Sequence, residues 1–122
     1  MIPVLKTLKN ALNGLKIPYA YDEWNKDVVL PYFVGELDEI ATNYEDGKRE
    51  FLFTLTGEDV DTYSNLLTYT EILAKEYKQS KKITLDNGVM VIMYNRTFKV
   101  PVEAERIKRT QTEFTIYLWE TE

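Results

Sequence analysis

Arg49-Glu50-Phe51-Leu52-Phe53-Thr54-Leu55-Thr56 is the stretch that decides the fold class. Phe51, Phe53 and Leu55 point one way and Leu52, Thr54 and Thr56 the other, the period of two that belongs to a strand. Such a strand needs a second layer to cover its aromatic side. Immediately downstream, Tyr63, Leu66, Leu67, Thr70, Leu73, Ala74 and Tyr77 recur at helical period. They predict one long helix from about Asp61 to Gln79, with Gly57 ending the strand and Asp59 or Asp61 capping the helix. Phe51, Phe53 and Leu55 are expected to share a core with Leu66, Leu67 and Leu73.

Working outward, Leu5, Leu8, Leu12 and Leu15 line one side of a short N-terminal helix, with Pro3 in its first turn and Gly14 at its end. Pro18 and Pro31 impose extended backbone on the residues before them. A strand or edge segment is expected within Tyr19–Trp24, and a second strand over Tyr32-Phe33-Val34, reaching towards Leu37. Thr42 to Gly47 is expected to be a polar loop. Ile83-Thr84-Leu85 and Val89 to Tyr94 flank Asp86-Asn87-Gly88, and Asn-Gly between apolar runs is a strong hairpin signal. Thr112 to Trp119 alternates as a terminal strand. The order reads α, β, β, β, α, β, β, β. The expected fold is α+β: a largely antiparallel sheet with a short N-terminal helix and one long helix packed on one face, in a single domain over residues 1–122.

The 122 residues are 44% hydrophobic, which argues against disorder. The absence of both Cys and His removes disulfides, thiolate and imidazole metal ligands and the Ser-His-Asp triad. The five glycines are isolated, so no phosphate-binding loop is present. Carboxylates gather at Glu36, Asp38 and Glu39 and at Glu58, Asp59 and Asp61, as metal or paired-carboxylate hydrolysis would need. Neighbouring strand residues point to opposite sides, however, so solvated or capping roles are expected there. Tyr77, Tyr94 and Phe98 are expected in the core rather than stacked on bases. No catalytic, cofactor or metal residue is assigned, and no enzymatic turnover is expected.

The net charge of −5 weighs against duplex nucleic acid as a partner, and no sequence-specific nucleic-acid binding is expected. The N-terminus shows no secretory pattern and no apolar run nears the roughly 18 residues of a membrane span, so a soluble protein made in a cytoplasm, with no membrane partner, is expected. Charge is unevenly distributed. From Lys16 to Asp61, four basic residues stand against twelve acidic, a balance of −8; from Lys75 to Arg109, nine stand against four, a balance of +5. A mixed solvated surface is one reading. The other is a molecule with unlike faces, suited to head-to-tail contact between copies. On that reading Lys81, Lys82, Arg106, Lys108 and Arg109 form a basic side, and Glu36, Asp38, Glu39, Glu45 and Asp46 an acidic side.

Ile17-Pro18-Tyr19-Ala20-Tyr21-Asp22-Glu23-Trp24 and Leu30-Pro31-Tyr32-Phe33-Val34 resemble segments of the small tail-completion proteins of tailed phages and prophages of Gram-positive bacteria. Phe51 to Thr56, Tyr63 to Gln79 and Thr112 to Trp119 occupy places matching that group, and the element order is similar to that of tail terminators. The resemblance implies a virion structural protein: a ring, expected to be a hexamer, that caps the tail tube and meets the head connector or neck. It would be found in the host cytoplasm during assembly and in the virion tail afterwards. A small cytoplasmic adaptor or inhibitor, binding another protein through an acidic face, is the alternative.

Overall fold

The computed structural model describes residues 2–21, 29–41, 47–104 and 106–120. Its elements are α1 (Ile2–Gly14), β1 (Tyr19–Tyr21), β2 (Tyr32–Ala41), β3 (Arg49–Val60), α2 (Ser64–Tyr77), β4 (Lys81–Leu85), β5 (Gly88–Val100) and β6 (Ile107–Glu120). This is the order expected from the sequence. The fold class is different: strand outweighs helix by two to one, at 53% against 26%, in one curled, mixed six-stranded sheet with two short helices. There is no long helix packed on a sheet.

Two local causes account for the correction. Gly57 does not end β3; the strand runs on to Val60, and Asp61 turns the chain in the left-handed region at φ 67°. The helix therefore starts only at Ser64 and spans 14 residues. Neither Asp59 nor Asp61 caps it: the Ser64 N–H donates to Thr62 Oγ1 at 3.1 Å. The other strands are also longer than their apolar cores. β2 reaches Ala41, and β5 continues past a bulge between Tyr94 and Arg96 to Val100.

The sheet order is β1-β2-β3-β6-β5-β4. After β3 the chain crosses through α2 to the far edge, and β6 then returns to lie beside β3. Pairing is antiparallel throughout except between β1 and β2, which run parallel with Tyr19 opposite Phe33. The β4–β5 turn is Asp86-Asn87, and Gly88 is already paired with Leu85.

One core gathers Val4, Leu8 and Leu12 of α1, Leu66, Leu73 and Tyr77 of α2, and the inner face of the sheet, including Phe33, Phe51, Phe53, Leu55, Phe114 and Ile116. The expected sharing of a core by β3 and α2 is present for Leu66 and Leu73, whereas Leu67 is exposed. In α1 the fully buried residues are Val4, Leu8 and Leu12, with Leu5, and Leu15 just past the helix end, packed at the margin. Gly57 lies on the inner face, where a Cβ would collide with the Phe33 ring and Leu66; a strand interior admits glycine at such a close approach.

Candidate functional site

Strand alternation sorts the predicted acidic residues. Glu36 and Asp38 lie on the outer face of β2 and are exposed. Glu39, opposite Phe51, turns the other way and accepts two hydrogen bonds from Arg49, at 2.9 Å from Nε and 2.8 Å from Nη2. The Arg49 hydrogen bond holds the Glu39 carboxyl below its usual range. Arg49 also reaches Glu120 at 2.6 Å, and Glu39 chiefly, with Glu120, raises the guanidinium above its ordinary value. Glu45 and Asp46 lie outside the described residues.

The predicted basic residues divide between two places. Lys81 and Lys82 are in β4, the edge strand furthest from β1. Lys81 is ion-paired with Glu76 and lies 6.0 Å from the Tyr77 ring. Lys82 is exposed, opposite Val91, and no ion pair involves it among the described residues. Arg106, Lys108 and Arg109 sit at the start of β6 beside the end of β3. Arg106 grips Asp61 through two hydrogen bonds of 2.8 and 2.7 Å, which lower the Asp61 carboxyl and raise the guanidinium. Arg109 pairs with Glu58. Lys108 stands opposite Asp59 in register, its ammonium 5.7 Å from the Tyr63 ring. The structure thus joins Arg106 and Arg109 to the acidic end of β3, and among the described residues no ion pair involves Lys82, Glu36 or Asp38.

The second carboxylate cluster is dispersed by the same alternation. Glu58 meets Arg109 on the outer face, while Asp59 is buried and accepts from the Val60 N–H at 2.8 Å and Asn65 Nδ2 at 3.2 Å. Among the described residues no three acidic side chains converge on a point where a metal ion would sit. Tyr77 and Tyr94 pack edge-on against Phe114, as expected of core residues. Phe98 is different: it lies on the outer face, with the Arg96 guanidinium 4.6 Å from its ring centre.

The outer face carries a feature the sequence reading missed. Leu52, Val89, Val91, Met93, Tyr117 and Trp119 are each half-buried there, with Lys48 lying 4.5 Å from the Tyr117 ring. The signal was available in Val89 to Met93 of β5 and Ile116 to Trp119 of β6, where both phases of the alternation are apolar. Among the described residues, the two edges of the sheet are β4 and β1, and β1 flanks only Phe33–Gly35 of β2.

No protein-family model matches this chain, and comparison with curated proteins gives no match. No described helix is long and apolar enough to cross a membrane.

Proposed function

We propose that this chain is a structural protein of a phage tail, of the tail-completion or tail-terminator kind, which caps the tail tube as a ring, a hexamer on this reading, and meets the head connector. The observation that carries the reading is the placement of unlike charges at opposite sides of one sheet. Exposed Glu36 and Asp38 are on β2, with β1 the one strand beyond it among the described residues, and exposed Lys82 is on β4 at the far edge. A head-to-tail contact needs two different, complementary patches on each subunit, and repeats into a ring when its rotation closes. Charge in such a contact guides encounter and register, and salt weakens it over a Debye length of about 8 Å at physiological strength. The resemblance of residues 17–24 and 30–34 to tail-completion proteins supports the same reading.

The test is to mix the purified chain with tail tubes of the phage or prophage that encodes it, then image the tubes and determine the mass of the bound species. Six copies at one tube end are expected. Failure to bind tube ends overturns the proposal, and a one-to-one complex with a cytoplasmic protein would establish the adaptor in its place.

A further inference from the structure

We propose that the free chain associates with a second copy of itself through the outer face of the sheet, about a two-fold axis that runs along β6. This goes beyond the tail reading and does not depend on it. The inner face is buried beneath α1 and α2, whereas none of the residues pointing outward along β3, β5 and β6 is buried. A layer packed on the outer side would have buried some of them, as the helices do opposite. Leu52, Val91, Met93 and Tyr117 make the middle of this side apolar, and methionine and aromatic side chains are enriched where proteins meet.

The strand order makes this face complementary to itself. In β2-β3-β6-β5-β4, β6 is central, with two strands on each side. Thr115 of β6 has Leu52 of β3 on one flank and Met93 of β5 on the other. Asp38 of β2 lies beyond Leu52, and Lys82 of β4 lies beyond Val91, which flanks Tyr117. A two-fold axis along β6 lays Leu52 of each copy on Met93 of the other, and Tyr117 on Tyr117. It also sets Glu36 and Asp38 of each copy over the strand that carries Lys82 in the other. The rows of Asp38 and Lys82 are two residues apart, about 7 Å, an offset that a long lysine stem spans.

Charge decides between this axis and its rival. A two-fold axis across the strands would also stack the apolar residues, but it would place β2 on β2 and β4 on β4. Carboxylates would then face carboxylates, and Lys82 would face Lys82. Unlike charges at the rim of a contact guide encounter and orientation, and like charges reject the alternative. Glu50, beside Tyr117 on the same face, already has an interaction within its own chain. Two sheets stacked along β6 keep their strand directions within about 30°, the aligned arrangement of a β-sandwich. In the ring reading the same charges serve the next copy, so the dimer keeps the free chain from joining head to tail.

Sedimentation of the purified chain over a range of concentrations should show reversible conversion to twice the 14.3 kDa of one chain. Met93→Lys puts a charge in the middle of the contact and should leave a monomer, with folding checked by circular dichroism. Thr115→Cys places one thiol on the axis of a chain that has no cysteine, and a short bismaleimide should couple it to its own copy. Thr68→Cys, on the exposed side of α2, should give no covalent dimer. Because the axis repeats every contact, Lys82→Glu acts twice and should weaken the dimer about tenfold at low salt, with Asp38→Lys in the same chain restoring most of it. A chain that stays monomeric at every concentration overturns the proposal. So does a dimer that a folded Met93→Lys chain still forms, or one that Thr115→Cys captures no better than Thr68→Cys. A dimer indifferent to Lys82→Glu overturns the axis along β6. Each of these failures leaves the ring reading standing, to be decided on tail tubes.

Discussion

Glu58 on β3 and Arg109 on β6 are direct register partners, with Arg109 Nε donating to the carboxylate at 2.7 Å across 51 positions of sequence. Because β3 and β6 lie side by side, the acidic first half of the chain is folded against the start of the basic second half. Asp61 with Arg106 repeats the arrangement one turn further on. Part of the charge asymmetry along the sequence is thus neutralised within the subunit, where the end of β3 meets the start of β6.

Reversing Arg109 therefore probes the fold rather than assembly. Arg109→Glu sets two carboxylates opposite each other at a site that is about one-third exposed, so the expected loss is about 1 kcal/mol, limited by solvent screening. Urea denaturation measures it. Adding Glu58→Arg should recover at least half of the loss; no recovery would show that the pair is energetically silent.

Phe53→Ala should cost about 3–5 kcal/mol. Phe53 is 1% exposed and packs against the Tyr19 and Phe114 rings at 6.1 and 5.9 Å between centres. Removing it leaves a cavity between β1, β3 and β6 that the flanking strands cannot collapse into. A shift of the denaturation midpoint at unchanged slope is the expected signature, and a loss below about 1 kcal/mol would contradict the packing.

Acid should weaken the β2–β3 end through Glu39. Its folded value is depressed by the Arg49 hydrogen bond below the ordinary 4.5, so its stabilisation is complete above that pH. The contribution is lost as pH falls through the folded value. Thermal unfolding from about pH 6 to pH 3 should show a shallower acid limb in Glu39→Gln than in the unmodified protein. Identical limbs would remove Glu39 from the account.

Alkali should act through Tyr19. Burial first, and the neighbouring Tyr21 second, push its phenol up from 10.0 to about 12. The unfolded chain ionises first, so stability is level below about pH 10 and falls as pH rises towards 12. Tyr19→Phe should reduce that fall without abolishing it, because burial raises Tyr77 to about 12 as well. Among the described residues the buried Tyr19 hydroxyl has no hydrogen-bond partner, so the same variant should be neutral or stabilising by up to about 1 kcal/mol at neutral pH. A clear loss at neutral pH would mean that the hydroxyl is satisfied.

The sequence by itself determined the order of elements, the aromatic inner side of β3 and the hairpin at Asp86–Gly88. Each is written in neighbouring residues: a period of two, a period near 3.6, a turn dipeptide. The tertiary structure decided what depends on partners far along the chain. Strand lengths are one case, since β3 persists through Gly57 because Phe33 of β2 and Leu66 of α2 fill the space a side chain would take. That extension shortens α2 and turns an expected α+β layer into a fold dominated by sheet. The parallel β1–β2 pair is another. The candidate surface is the third: Lys82, Arg106 and Arg109 are equivalent as sequence, and only the β3–β6 register pairs two of them internally, while the first lies on the strand that ends the sheet among the described residues. Charge is a property of a residue, but its availability depends on which strand the fold places beside it.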